Sequence, residues 1–438
     1  MTSYFRGEFP HVSRFRRVRC GALYIALVAT SLVFATGASA EQAAILTLAD
    51  AEQLALHNEP GQTALLSRAS ALREQAVAAR QLPDPKLRVA LANFPIESGG
   101  FSTEGMTQAQ LGLRQSFPRS KTRAAGSRRF QALALEMSES ADARRRDVLA
   151  AVRKSWLEAY YWTQARKIVA ELRPLFSDLV TITESLYSVG RKDQQDLLRA
   201  ELELSRVDDR LIGIDQHRAM ARASLNQWIG SQGERPLGEQ LPDWQPPPPI
   251  GQLHAALVQH PSINAVQAQI AATRAGVTVA EQSAKPGWAL DVAYAYRDGS
   301  LPAGTPRSDF VTVAVTVDLP YFRKNRHDRK VAAALKEQHA ADATQEALLR
   351  RLTSQLEREY VHWRELTRRI ELYERVILAK TREQSAAALA AYQSESADFA
   401  DVMQGSIDEL NTQLDYLRLQ VDRGQSHAVL AELGGLLQ

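Results

Sequence analysis

The feature that most limits what this chain can fold into is that it is written twice. "HNEPGQTALLSRASALREQAVAARQLPDPKL" from residue 57 and "VQHPSINAVQAQIAATRAGVTVAEQSAKPGW" from residue 258 each carry one proline at the start of a helical stretch and another after it. Pro60 to Pro85 and Pro261 to Pro286 are both 25 apart, at an offset of 201. The offset is 202 where Pro118 answers Pro320, 204 where Trp156 answers Tyr360, and 205 where Tyr187 answers Tyr392 and Gly230 answers Gly435. A fixed long period with slight drift is the mark of a duplicated structural unit. The repeats occupy residues 41–242 and 251–438, and residues 243–250 join them through four consecutive prolines, a stiff polyproline connector.

Each unit reads helix, strand, loop, strand, very long helix, helix. The strands are expected at about 86–94 and 106–117 in the first unit, and about 288–297 and 309–319 in the second. The third is the clearest, because Trp288, Leu290, Val292, Tyr294 and Tyr296 alternate with Ala289, Asp291, Ala293, Ala295 and Arg297. In its partner Val311, Val313, Val315 and Val317 alternate with Thr312, Ala314, Thr316 and Asp318. By periodicity alone a half-buried hairpin over a soluble core looks the same. The alternative is a tilted membrane strand, which needs nine to eleven residues and connecting turns of the Gly, Pro and Ser type seen here. On that reading the residues just named from Trp288 to Tyr296 and from Val311 to Val317 face lipid. Four strands cannot close a barrel, for which eight is the usual minimum, and an open edge cannot face lipid. Membrane insertion would therefore require several copies: two give eight strands, three give twelve.

From Thr122 to Tyr187 the only strong break is Pro174, where a kink is expected. A helix of that length is about 100 Å long and needs partners along all of it. The following helix provides a three-four seam of Leu197, Ala200, Leu204, Val207, Leu211, Ile214, Arg218, Ala221, Leu225 and Trp228, with Arg218 its one polar exception, and the second unit has its own in Met403, Ile407, Leu410, Leu414, Leu417, Val421, Gly424 and Ala428. Each long helix should pair antiparallel with the one after it.

Residues 1–40 read as a secretory signal peptide: five arginines, an apolar run from Gly21 to Phe34, and small residues Ala38 and Ala40 before Glu41. The whole chain has 53 Lys+Arg against 50 Asp+Glu, and five Arg and one Glu lie in that segment, so the remainder carries 48 against 49. A near-neutral chain has no electrostatic footprint for nucleic acid. The single cysteine, Cys20, lies in the same segment, behind basic residues where lipidation is not expected, so no disulfide supports the exported part. No run of 18 apolar residues follows. No phosphate-binding glycine loop, G-x-S-x-G or H-E-x-x-H occurs, and the histidines show no metal-ligand spacing, so neither enzyme nor cofactor is expected.

Two tandem helix, hairpin, long helix, helix units behind a signal peptide resemble the TolC-like outer membrane factors, the exit ducts of Gram-negative efflux and secretion machines. "LPDPKLRVALANFP", "GMTQAQLGLRQSFP" and "VTVAVTVDLPYFRKNRHDRK" look most like the heavy-metal branch, the CusC-like and CzcC-like ducts. The resemblance implies a mostly helical fold with a small β part. It implies a homotrimer sharing one twelve-stranded barrel in the outer membrane lipid, continued into the periplasm by a coiled-coil tunnel. It implies docking of a periplasmic adaptor and an inner-membrane pump, RND type for this branch, at helix tips that here hold Tyr187, Ser188, Val189 and Gly190, and Tyr392, Gln393 and Ser394. The family's V-D-V-L-D-A motif, which lines a constriction, corresponds to "ADVMQG": Asp401 matches its first acid, Gln404 replaces its second, and Asp398 lies one turn before. These acids read either as a cation-attracting ring or as surface acids at a helix N-terminus. Cations follow both hairpins, Arg119, Lys121, Arg123, Arg128 and Arg129, then Arg323, Lys324, Arg326, Arg329 and Lys330, as a solvated face or a contact with lipid head groups. The alternatives to a metal duct are a multidrug or type I secretion duct of the same fold, or a periplasmic coiled-coil scaffold.

Overall fold

The computed structural model describes residues 45–57, 59–394 and 396–435; the expected signal segment lies outside them. Both units begin with the same helix-starting device. α1 (Leu48–His57) leads into α2 (Pro60–Arg80), where proline stands at the first turn and the Glu59 side chain accepts the Gln62 backbone N–H. In the second unit α5 (Ile250–Leu257) leads into α6 (Pro261–Gln282), where His260 Nδ1 accepts the Ser262 N–H at 3.2 Å. Proline suits this position because its missing donor would be unpaired there in any case.

The strands fall where alternation put them. β1 is Lys86–Ala92, β2 Gln108–Phe117, β3 Trp288–Tyr296 and β4 Phe310–Val317. β1 is two residues shorter than expected, because Asn93 turns out of the strand at φ 54° and its amide donates to the Met106 carbonyl at 3.2 Å. Asn tolerates that left-handed conformation better than most residues. β4 begins at Phe310 because Asp309 is used as a side-chain acceptor for the Arg297 N–H at 2.9 Å. All four strands form one antiparallel sheet in the order β1-β2-β3-β4, so the two units' hairpins join through β2 and β3.

After each hairpin comes a long helix. α3 runs unbroken from Ser120 to Ser188 for 69 residues and passes through Pro174, and α4 (Gln194–Ile229) returns beside it. In the second unit α7 (Asp328–Leu372) passes through a π-helical turn, Tyr373–Ile377, into α8 (Leu378–Gln393), and α9 (Phe399–Gly434) packs back against both. A second π-helical turn, Arg323–His327, precedes α7. A π turn takes up one more residue than an α turn. The one at Tyr373–Ile377 accounts for the repeat offset growing from 204 to 205 between Tyr360 and Tyr392, and the one at Arg323–His327 absorbs one of the two residues gained before Tyr360.

The seams are buried as spaced. Ala200, Val207, Ile214, Ala221 and Leu225 of α4 join Val148, Val152, Leu157, Val169 and Leu179 of α3 in one core, together with Met403, Leu410, Leu414 and Val421 of α9. α3 also packs on α2 and on α6 of the other unit. Trp156 closes this core beneath Leu46, donating from Nε1 to its carbonyl at 3.2 Å. The proline-rich joint lies over α9: Trp244 stacks on His427 with ring centroids 5.2 Å apart, and a Cβ on Gly424 would stand 2.7 Å from the Trp244 ring. Only glycine leaves room for the joint at that point of the seam.

Candidate functional site: an open sheet and paired helix tips

The register decides which side chains share a face, because directly opposed residues of an antiparallel pair point the same way. Leu87 opposes Leu113, which opposes Val292, which opposes Val313. Val89, Leu111, Tyr294 and Val311 make the next row, and Phe117, Trp288 and Val317 the row at the helix-connected end. One apolar face thus crosses both hairpins, with Gln115, opposite Leu290, as its one polar member among the paired residues. It is open in the single chain: Val89 is 76% exposed, Val311 71% and Val313 66%. Of the nine residues expected to share this face, Leu290 is half-buried and the other eight are exposed. An exposed apolar surface of this extent needs a partner or a membrane.

The opposite face is polar or small apart from Phe310, which opposes Ala295. Arg114 and Asp291 pair there at 3.7 Å, and Thr316 donates to Asp291 at 3.2 Å. Two arginines tie the hairpin loops together: Arg297 donates to the Gly105 carbonyl at 2.6 Å, and Arg307 to the Ser102, Glu104 and Asp298 carbonyls at 3.0 to 3.2 Å. β1 and β4 remain edge strands.

At the far end of the helices the two tips meet. The first is closed by a left-handed glycine: Gly190 has φ 72°, its N–H donates to Tyr187 O at 2.9 Å, and the Arg191 N–H donates to Leu186 O at 2.9 Å. This paired arrangement terminates a helix by satisfying its last carbonyls. The second tip, which has no glycine there, makes the equivalent bond from Ser396 N–H to Ala391 O at 2.9 Å and adds one from the Ser394 hydroxyl to the same carbonyl at 3.0 Å. The equivalent tyrosines have different roles. Tyr187 and Val189 are exposed, whereas Tyr392 is buried against Phe399, and the Lys192 ammonium stands over its ring at 5.3 Å. Ser188 donates to Ser185 O at 2.7 Å. The Gln393 side chain lies outside the described residues.

Asp398 and Asp401 line a cleft between the tips with Arg191, Lys192 and Tyr392. Asp398 stands at the N-cap of α9 yet makes no side-chain cap hydrogen bond, and Asp401 is exposed in the first turn. The Asp398 carboxylate is therefore not consumed in closing the helix. Gln404 is turned away from this role, since its amide donates to Asp408 at 2.8 Å along the helix. Arg191 and Lys192 were not singled out from sequence. The 205-residue offset does contain the signal, because it also aligns Asp193 with Asp398 and Asp196 with Asp401, giving both tips the same D-x-x-D turn.

Residues 252–436 match the family model described as outer membrane efflux protein. No curated protein matches the chain. Among solved structures, CusC, whose structures concern folding and transmembrane channel formation, is similar with a TM-score of 0.76 at 17% identity, covering 88% of this chain and 92% of that one. The CmeC outer membrane channel of Campylobacter jejuni gives 0.75 at 13% identity, covering 89% and 85%. The outer membrane protein VceC of Vibrio cholerae gives 0.73 at 18% identity, covering 88% and 96%.

Proposed function

We propose that this chain, whose residues 252–436 match the outer membrane efflux protein model, is the outer membrane exit duct of a tripartite efflux system, carrying heavy-metal cations from an inner-membrane pump and a periplasmic adaptor to the outside. It is a passive channel, and its energy comes from the pump. The observation that carries the membrane part is the exposed face across four strands, apolar except for Gln115, with two open edges. A sheet with open edges cannot sit in lipid, so the edges of neighbouring copies must pair. Three copies give the twelve-stranded barrel that the family resemblance implies, with Arg114, Asp291 and Thr316 turned toward its water-filled bore.

The periplasmic part rests on the helices. α3 alone is about 100 Å long, and three sets around one axis would continue the bore as a tunnel. Asp398 and Asp401 from three copies would meet near its end, where close carboxylates attract cations. The exposed Tyr187 and Val189 at the first tip suit docking of the adaptor or pump, and Tyr392 fastens the second tip to the first.

The metal cargo rests on the hairpin segments that resemble the CusC-like branch, and a drug cargo is the second reading, because the fold similarity to CusC, CmeC and VceC is nearly equal. Deleting the gene and growing cells on graded copper, silver, zinc, cobalt and cadmium, with detergents and antibiotics alongside, separates the two. Metal sensitivity is the expected result. Unchanged metal tolerance with increased drug sensitivity would move the cargo to the second class, and recovery of the protein as a soluble periplasmic monomer would sink the duct.

A further inference from the structure

The helix-connected end of the sheet carries a collar that neither the barrel nor the tips explain. Leaving β4, the chain runs Asp318, Leu319, Pro320, Tyr321, Phe322, Arg323, Lys324, Asn325, Arg326 and His327 before α7 begins at Asp328. Tyr321 and Phe322 are 84% and 76% exposed, packed edge to face at 5.3 Å, and they follow Val317, the end of the row with Phe117 and Trp288, by four and five residues. Arg323, Lys324, Arg326, Arg329 and Lys330 are all exposed, and none forms an ion pair with a described residue. Cations at the start of a helix oppose its dipole, and the single acid in the first turn of α7, Asp328, leaves four of the five without an opposite charge in that turn, so the arrangement costs stability unless a further anion sits nearby. The first unit differs in part: Lys121, Arg128 and Arg129 are exposed, but Arg119 and Arg123 are half-buried, and Arg123 is already donating to the Arg80 carbonyl at 2.9 Å. The opposite end of the sheet differs too, since its Arg297 and Arg307 are spent on loop carbonyls and Glu97, Glu104, Asp298 and Asp309 accompany them.

We propose that Tyr321, Phe322, Arg323, Lys324 and Arg326 form a binding surface for anionic phospholipid head groups of the leaflet facing the helices. The inference rests on the reading that the apolar face lies in a bilayer. Amphipathic rings settle at the boundary of acyl chains and water. Guanidinium and ammonium groups one turn further from the sheet then reach the phosphates, while their stems lie along the apolar boundary. Each cation held near an anionic surface is worth about fivefold in affinity at low salt.

The test uses the purified full chain reconstituted in vesicles containing brominated phosphatidylglycerol or brominated phosphatidylcholine, reading the quenching of Trp288 as the difference from a Trp288→Phe sample. The expected result is a preference for phosphatidylglycerol of roughly tenfold or more that shrinks in high salt. Arg323→Gln/Lys324→Gln/Arg326→Gln should bring the preference close to one while quenching by either lipid, and so insertion, persists. Equal quenching of the wild type by the two lipids overturns the proposal and leaves the duct intact. A triple variant that loses its oligomeric state in phosphatidylcholine with no change in lipid preference also overturns it, and makes the collar a contact between copies. No quenching of the wild type by either lipid overturns the membrane reading of the sheet and this proposal with it.

Discussion

Val313 and Thr312 are neighbours on β4, equally deep, both exposed in the chain, and on opposite faces of the sheet. That makes them a clean pair for testing the face assignment. β4 has 8 residues, and at about 3.3 Å per residue it is about 26 Å long, so a tilt of about 40° leaves it spanning about 20 Å of the bilayer's depth. Val313 is the fourth residue, so it lies near mid-depth. An arginine on the lipid face at the midplane costs about 2 to 4 kcal/mol per copy, whereas one facing the bore costs no more than an ordinary surface change, within about 0.5 kcal/mol. Val313→Arg should therefore lower the folding equilibrium in vesicles roughly a hundredfold per chain, and Thr312→Arg hardly at all. Urea titration of vesicle-inserted protein, read by the heat-resistant band in gels, measures both. Equal effects from the two substitutions would refute the face assignment, and a larger loss at Thr312 would mean that the faces are reversed.

Three further outcomes are expected. Gly424→Ala puts a methyl 2.7 Å from the Trp244 ring and 3.2 Å from Leu157, so thermal unfolding should show a loss of about 1 to 3 kcal/mol, and an additional Trp244→Ala change should recover part of it. Burial and the neighbouring Asp147 push the Glu432 carboxyl up to about 7, only partly offset by Lys154 and Arg146. The folded chain thus binds this proton more tightly than the unfolded one; the stability present below about pH 4.5 is lost as pH rises through about 7, by at most about 3 kcal/mol. Burial acts oppositely on His260, lowered to about 4, so it withdraws stability as pH falls below 6.5. The difference in unfolding between wild type and Glu432→Gln across that window isolates the carboxylate, and an unchanged pH slope would contradict its assignment. Finally, Asp398→Asn/Asp401→Asn should reduce cation over anion permeability of reconstituted channels severalfold, measured by reversal potential; unchanged selectivity would move the acids out of the bore.

Much of the local structure was legible in the residues alone. The duplication, the strand faces, the helix seams and the proline joint all depend on periods and spacings within one segment, and a period of two or of three to four has the same meaning wherever the segment ends up. The tertiary structure decided what no local period contains. The β2–β3 pairing joins strands some 180 residues apart in sequence, and the apolar face is continuous only because that register aligns Leu113 with Val292. The π turns that absorb the drift in offset depend on two helices staying in register over many turns. At the tips, two tyrosines at equivalent positions in the repeat diverge, Tyr187 exposed and Tyr392 buried beneath Lys192, because Lys192 comes from the other unit. Repetition determined what each half builds. Contacts between the halves determined which copy of each residue is covered and which is left open.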